Sequence, residues 1–219
     1  MSRQLPQQQP FLSIPKQELT HLDAETFHGR IDVIETEAQA DNALAILEQE
    51  EMVGFDTETR PSFRKGVNYK VSLVQISTAD HCFLFRINKL GVSERLRRFL
   101  ENPDVVKIGL SLKDDFFVLH KIEEFEPAGF IDLQDFVADY GIADASLQKI
   151  YGIVFGRRIS KSQRLSNWEA QRLTYPQQSY AALDAQACLS LYRHLTAGNF
   201  HPEESPWRIP DSPEGDDNK

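Results

Sequence analysis

The run Tyr180-Ala181-Ala182-Leu183-Asp184 lies inside residues 176–195, a stretch whose apolar residues recur with the period of an α-helix. Side chains four residues apart lie on one face of a helix, so the phenol of Tyr180 and the carboxylate of Asp184 would project together into whatever this helix covers. One polar pair on an amphipathic helix is also compatible with ordinary packing. The pair therefore gains a functional meaning only together with the acidic motifs that precede it in the chain.

The first acidic motif follows the apolar run of residues 52–55. Asp56 and Glu58 are separated by one residue, and on a strand they would point to the same face because side chains alternate. Two carboxylates this close raise each other's pKa unless a cation lies between them. A strand that simply ends in solvent is the structural alternative for this motif.

The second acidic motif stands at the start of a helix predicted over residues 114–122. A carboxylate in the first turn stabilises a helix through its N-terminal amides, and this structural role is sufficient for Asp114. Its neighbour Asp115 is the better candidate for a functional site, because of the family resemblance described below.

The order of the remaining elements predicts an α/β fold. Three successive strands joined by short links predict an antiparallel meander, and the later alternation of strands with helices predicts a mixed sheet covered by helices. Thr174 and Gln177 form a capping-box pattern that predicts the start of the last helix. The predicted strands cover residues 29–34, 52–55, 71–76, 82–85, 105–108 and 130–131, and the other predicted helices cover residues 37–51, 90–100, 133–140 and 145–151.

The length of 219 residues is that of one domain with terminal segments. We expect residues 1–26, rich in Gln and Pro, to be a flexible segment, residues 27–200 to form the domain, and the acidic, Pro-rich residues 201–219 to be disordered. Cys82 and Cys188 lie in apolar runs and are predicted to be buried free thiols. The sequence carries no apolar stretch of membrane-spanning length and no leader pattern, so we expect an intracellular, cytoplasmic protein without a membrane partner.

A local basic patch contrasts with the formal net charge of −9. A negative net charge argues against a protein that coats nucleic acid non-specifically. The acidic tail and the candidate site, however, contribute much of this negative charge. The patch has a solvated loop as its structural alternative. Its residues are Arg157, Arg158, Lys161, Arg164 and Arg172.

The acidic motifs together offer only oxygen ligands, which hard cations such as Mg²⁺ and Mn²⁺ prefer. Carboxylate clusters that hold two divalent ions suit in-line displacement at phosphorus. Zinc chemistry is disfavoured because His120 and His194 have no partner at a metal-ligand spacing. Tyr180 would orient a water in such a site, since a phenol with a pKa near 10 is a poor base at neutral pH.

At this point the sequence resembles the DEDD exonucleases, in the tyrosine-bearing subgroup that contains RNase D and the exonuclease domain of the Werner syndrome protein. The resemblance covers about residues 30–197. It is carried by Val53-Gly54-Phe55-Asp56-Thr57-Glu58, by Gly109 to Asp115, and by Tyr180-Ala181-Ala182-Leu183-Asp184-Ala185 with its lead-in Lys161-Ser162 and Ser166-Asn167-Trp168.

The resemblance implies a ribonuclease H-like fold, two Mg²⁺ or Mn²⁺ ions, and catalytic residues. Asp56 would contact both ions, Glu58 and Asp184 the first, and Asp115 the second through water, while Tyr180 would hold the attacking water. The loop with Lys161, Arg164, Arg157 and Arg158 would bind the substrate backbone, and Trp168 would pack rather than stack on a base.

The implied activity is 3′-to-5′ removal of nucleoside 5′-monophosphates from a nucleic acid with a free 3′ end. DNA is slightly favoured, because the first two motifs look closer to the Werner domain, and RNA 3′-end trimming is the near alternative. A catalytically silent nucleic-acid-binding module is a third interpretation. The extra helical domains of RNase D and the helicase of the Werner protein have no counterpart in this sequence.

Overall fold

A single mixed sheet organises the computed structural model, which describes residues 11–209. Its strands are β1 (Arg30–Ile34), β2 (Met52–Thr59), β3 (Val71–Ser77), β4 (His81–Phe85), β5 (Val106–Gly109) and β6 (Phe130–Asp132). Their order in the sheet is β1-β4-β3-β2-β5-β6. β2, β3 and β4 form the predicted antiparallel meander, whereas β1 pairs with β4, β5 with β2, and β6 with β5 in parallel.

Eight α-helices and two short 3-10 turns surround this sheet in the described part of the chain. The helix predicted over residues 90–100 is present but begins at Glu94, because Gly91 (φ 70°) ends a preceding short helix and the side chain of Ser93 accepts from the amide of Leu96. The helices are α1 (Lys16–His21), α2 (Glu37–Leu47), α3 (Ile87–Leu90), α4 (Glu94–Leu100), α5 (Leu112–Leu119), α6 (Leu133–Phe136), α7 (Leu147–Phe155) and α8 (Tyr175–Thr196).

The two faces of the sheet are covered by different helices. On one face, α2, α4 and α5 pack against residues such as Val53, Phe55 and Val74. On the other face, α7 and α8 pack against Leu73 and Leu84. The alternation of strand side chains therefore divides the apolar residues between two cores. Cys82 and Cys188 are buried and free, as predicted.

The long helix α8 crosses the centre of the sheet and approaches β2 closely. Its capping box is the predicted one, with Thr174 accepting from the amide of Gln177 and the Gln177 side chain accepting from the amide of Thr174. A Cβ atom on Gly54 would lie 1.8 Å from the carbonyl oxygen of Ala185. Only glycine at this position allows β2 and α8, which carry two of the acidic motifs, to lie this close together.

The described parts of both terminal segments, residues 11–26 and 201–209, make contacts within the fold. Leu12 and Ile14 are fully buried, and the amide of Leu12 donates to the carbonyl of Gly141 at 2.8 Å. The amide of Ile209 donates to the carbonyl of Phe11 at 2.6 Å. Apolar residues scattered among polar ones are enough to hold these segments on the domain. Residues 1–10 and 210–219 lie outside the described residues.

Candidate active site

The carboxylates of Asp56 and Glu58 lie on one face of β2, as alternation predicts. α8 covers this face and brings in Asp184, so that carboxylate oxygens of the three residues lie within 4.8 Å of one another. Both β2 residues are half-buried at the rim, and Asp184 is buried. Two motifs that are 126 or more residues apart in sequence therefore meet in one acidic cluster.

Asp115 approaches this cluster from α5. The helix starts after Ser111, a residue with a left-handed backbone (φ 62°), and Asp132 accepts from the amides of Ser111 at 3.0 Å and Leu112 at 2.8 Å. This arrangement turns Asp115 inward, where it is 9% exposed, and leaves Asp114 exposed. Of the two neighbouring acids, Asp115 is therefore the one beside the cluster.

Thr57, between the two acidic residues of β2, also belongs to the site. Its hydroxyl donates a hydrogen bond to the carboxylate of Asp115. Sequence reasoning assigned no role to this threonine and missed the contact. The available signal was alternation, because a residue between Asp56 and Glu58 must face the opposite side of the sheet, where α5 packs.

Burial raises the pKa of all four carboxyl groups, and neighbouring carboxylates raise the pKa of three of them further. Burial and then the charge of Asp184 raise the pKa of Asp56 well above its ordinary value. Burial, followed by Asp56, raises the pKa of Glu58 to about 10 and that of Asp115 to about 8. Burial raises the pKa of Asp184 to about 7. At neutral pH the cluster therefore becomes fully ionised only when cations neutralise it.

Tyr180 lies one helical turn before Asp184 on α8 and is half-buried. Burial and the charges of Asp184 and Glu58 raise the pKa of its phenol, so the hydroxyl stays protonated at neutral pH. The ring centroid lies 6.1 Å from that of Trp168, which is fully buried. Trp168 therefore packs beneath the site, as predicted, and holds the tyrosine ring.

The basic loop divides into two pairs with different surroundings. Arg164 lowers the pKa of Glu58 and Lys161 lowers that of Asp184, so both cations lie beside the carboxylates. Arg157 forms an ion pair with Glu25 at 3.0 Å, and the Arg158 Nε donates to the carbonyl of Leu22 at 2.9 Å. The second pair anchors the N-terminal segment, a role that the sequence analysis did not assign.

Two further arginines hold the loop that precedes α8. Arg60, at the end of β2, forms an ion pair with Glu169 at 3.1 Å. Arg86 is completely buried and donates to the carbonyl of Ala170 at 2.5 Å and to the carboxylate of Glu35 at 3.2 Å. Neither arginine was identified from the sequence, because both partners lie far along the chain, and that of Arg86 is a backbone carbonyl. These contacts fix the start of the helix that carries Tyr180 and Asp184.

The residues present suit divalent metal ions. The cluster of Asp56, Glu58 and Asp184 offers carboxylate oxygens within reach of one ion, and Asp115 adds a fourth carboxylate nearby. Oxygen donors of this kind are the preferred ligands of hard divalent cations. Burial raises the pKa of both Glu58 and Asp184, and the neighbouring carboxylates raise that of Glu58 further, so a bound cation would favour the ionised forms.

A mixed sheet that carries such an acidic cluster between its central strand and a crossing helix defines a metal-dependent nuclease of the ribonuclease H-like class. The match of residues 31–198 to the 3′-5′ exonuclease family covers most of the sequence. The chain belongs to this family, the DEDD exonucleases, whose members are metal-dependent nuclease enzymes.

Individual relatives agree with this assignment. The chain is 32% identical over 152 residues to the mouse bifunctional 3′-5′ exonuclease/ATP-dependent helicase WRN, a match that covers 66% of this chain and 11% of the mouse protein. The chain therefore spans only a small part of that relative's length. Solved structures that share the fold include the Aedes aegypti Nibbler EXO domain and Escherichia coli RNase D. The match to the Nibbler domain has a TM-score of 0.71 at 22% identity and covers 83% of this chain and 97% of the Nibbler chain. The match to RNase D has a TM-score of 0.70 at 21% identity and covers 77% of this chain and 44% of the RNase D chain.

None of the helices in residues 11–209 is both long and apolar enough to cross a membrane.

Proposed function

We propose that this chain is a 3′-to-5′ exonuclease that hydrolyses the terminal phosphodiester of a nucleic acid and releases nucleoside 5′-monophosphates. The observation that carries this proposal is the convergence of Asp56, Glu58 and Asp184 within 4.8 Å, with Asp115 and Tyr180 beside them. Such a cluster costs stability, and a family of phosphodiester hydrolases explains why it is present.

Two Mg²⁺ or Mn²⁺ ions would occupy the site. Asp56 would contact both, Glu58 and Asp184 would complete the first, and Asp115, oriented by the Thr57 hydroxyl, would hold the second through water. Ions in such a pair lower the pKa of an attacking water and neutralise charge on the leaving oxygen. The protein's contribution is to hold the carboxylates in place.

Tyr180 would orient the attacking water. Its phenol remains protonated, so it donates a hydrogen bond or accepts one and does not act as a base. Lys161 and Arg164, beside Asp184 and Glu58, would bind the scissile phosphate and balance its charge. These roles agree with their positions next to the acidic cluster.

A groove next to the end of β2 supports single-stranded nucleic acid as the substrate. We call it the β2 groove; its volume is about 520 Å³, and Phe63 on one side of it is 81% exposed. The Arg60 guanidinium lies 4.6 Å from the centroid of the Tyr69 ring. Exposed aromatic rings combined with cations are typical of surfaces that stack unpaired bases. Its lining includes Arg60, Phe63, Arg64, Tyr69, Leu165 and Asn167.

DNA is the substrate that we favour slightly, because the first two acidic motifs resemble the Werner domain and the mouse WRN protein is 32% identical over the matched region. RNA is the alternative. Among the structural neighbours, E. coli RNase D is an exoribonuclease involved in structured RNA processing. The choice depends on contacts with the 2′ position of the sugar.

An assay with labelled oligonucleotides tests the proposal. Single-stranded DNA, DNA with a recessed 3′ end and single-stranded RNA of one sequence would be incubated with the protein in Mg²⁺ or Mn²⁺. We expect release of nucleoside 5′-monophosphates from the 3′ end, fastest from DNA. The proposal is wrong if no substrate yields mononucleotides in either metal.

The matched control is Asp56→Ala. An enzyme should lose nearly all turnover with this change while its fold persists, because the carboxylate holds the metal and supports no core packing. A nucleic-acid-binding module without catalysis would keep its binding and show no release in either form. Circular dichroism and thermal melting would confirm that the variant is folded.

A further inference from the structure

A second groove lies on the other side of the basic loop, between α1, the start of α7 and residues 158–164. We call it the lateral groove; its volume is about 430 Å³. Five of its eleven lining residues are cationic and none of the eleven is acidic, in a chain whose formal net charge is −9. The lining consists of Lys16, Leu19, Thr20, Ser146, Gln148, Lys149, Arg158, Ile159, Ser160, Lys161 and Arg164.

The lateral groove shares two cations with the candidate active site. Lys161 and Arg164 belong to its lining, and their charges also act on the carboxylates of Asp184 and Glu58. A strand whose terminal phosphate lies at the acidic cluster would therefore pass these two side chains as it enters the groove. The rest of the lining comes from α1, the start of α7 and residues 158–160.

The outer wall of the groove is held rigidly. The Ser13 hydroxyl and the Ile14 amide both donate to the carboxylate of Asp144 at 2.9 Å, just before α1 begins. Leu19 is buried against Gly152 of α7, where an added Cβ would lie 2.7 Å from its Cδ1 atom. Lys16 itself is exposed. This wall lies outside residues 31–198, the part that the family shares.

We propose that the lateral groove binds the sugar-phosphate backbone of the substrate strand on the 5′ side of the scissile linkage, with Lys16 as a distal phosphate contact. The inference rests on the proposed function and extends it to substrate positioning. The groove suits a backbone rather than bases, because its lining combines cations and the hydroxyls of Thr20, Ser146 and Ser160 with no aromatic ring. The aromatic side chains lie in the β2 groove instead.

The test measures binding of single-stranded oligonucleotides of 4 and 16 nucleotides by fluorescence anisotropy, over a range of salt concentrations. All proteins carry Asp56→Ala to prevent hydrolysis. Lys16→Glu reverses an exposed charge in the groove, and Thr20→Glu adds a negative charge to the same wall without removing a cation. Lys121→Glu is the matched control, because Lys121 lies over the ring of Phe117 in the helix layer on the opposite face of the sheet.

We expect Lys16→Glu and Thr20→Glu to weaken binding of the 16-mer about fivefold or more, and to reduce the slope of log K against log salt by about 0.7 per lost phosphate contact. The loss should be smaller for the 4-mer. The inference is overturned if both variants bind the 16-mer as Lys121→Glu does. Mononucleotide release by the unmodified protein is measured separately, so a failure of the proposed function is distinguished from a failure of the groove.

Discussion

The carboxyl of Asp184 lies on the face of α8 that packs on β2, where burial raises its pKa to about 7. Asp115, on the opposite side of Asp56, has a pKa of about 8 for the same reason together with the charge of Asp56. Buried groups of like charge lower the stability of the metal-free protein. They are typical of sites that bind a ligand of opposite charge. The acidic cluster therefore destabilises the folded state until cations bind to it.

Stability without metal should fall as pH rises from 5 to 8. The folded state holds protons on Asp115 and Asp184 at pH values where the unfolded chain, with ordinary carboxyl pKa values near 4, has released them. Rising pH therefore favours the unfolded state until the folded pKa is passed. With folded pKa values of about 7 and about 8, we expect the two groups together to cost up to about 6 kcal/mol, or roughly 15 °C in the melting temperature, measured by thermal melting in EDTA.

Millimolar Mn²⁺ should remove most of this pH dependence, because bound cations favour the ionised carboxylates. Asp56→Asn in EDTA should also flatten the profile, since it removes one of the interacting charges. A melting temperature in EDTA that rises between pH 5 and 8 would contradict the electrostatic account.

Tyr180→Phe should lower kcat about 100-fold with little change in KM, because it removes the hydroxyl that orients the water and leaves the ring packed on Trp168. The increase in melting temperature with Mn²⁺ should stay as in the unmodified protein, since the carboxylates are intact. Steady-state release of mononucleotides and thermal melting measure the two effects. Unchanged turnover would exclude Tyr180 from the reaction.

At the scale of elements, the contact between α8 and β2 decides whether the acidic motifs meet. Gly54 lies two residues before Asp56, and Ala185 follows Asp184 directly. The close approach of these backbones brings the two carboxylates into one cluster. Arg86, buried between the sheet and the carbonyl of Ala170, holds the segment from which α8 starts.

Gly54→Ala should separate the strand from the helix. The new Cβ would lie 1.8 Å from the Ala185 oxygen, a backbone atom that cannot rotate away, so we expect a loss of about 3 kcal/mol and a marked loss of turnover. Chemical denaturation measures the loss of stability, and mononucleotide release measures the loss of turnover. Gly198→Ala is the control, because its φ of 72° costs about 1 kcal/mol while nothing lies within 4 Å of the added methyl. Equal losses in both variants would contradict the importance of the contact.

At the scale of the whole molecule, the N-terminal segment completes the core on the α7 and α8 side. Leu12, Ile14 and Leu19 are buried there, and the carbonyls of Leu22 and Ala24 accept hydrogen bonds from Arg158 and Arg157. The segment also supplies the outer wall of the lateral groove. Stability and substrate positioning therefore depend on residues that precede the region shared with the family.

Deletion of residues 1–22 should destabilise the protein by about 5 kcal/mol, because three buried aliphatic side chains each contribute roughly 1.5–3 kcal/mol. A loss of this size is a large fraction of the stability of an ordinary domain. Urea denaturation measures it. Deletion of residues 1–10 is the control, since it keeps the contacts of Leu12, Ile14 and Leu19. An unchanged midpoint in the longer deletion would show that the segment contributes nothing to the core.

The sequence by itself determined the features that depend on neighbours along the chain. Alternation placed Asp56 and Glu58 on one face, the helical period placed Tyr180 beside Asp184, and the capping box located the start of α8. The meander was predicted from three successive strands, and the mixed sheet from the later alternation of strands with helices. The family was expected from the resemblance that these motifs carry, and the match of residues 31–198 confirms it.

Only the tertiary structure decided how the basic loop and the termini are used. Arg158 and its acceptor at Leu22 are 136 residues apart, and the acceptor is a backbone carbonyl, which every residue type offers equally. For the same reason, the sequence does not predict the contact of Arg86 with Ala170 or the hydrogen bonds of the segment around Leu12. Side-chain periodicity records which face of an element is buried, whereas contacts between distant backbones and side chains exist only once the chain has folded.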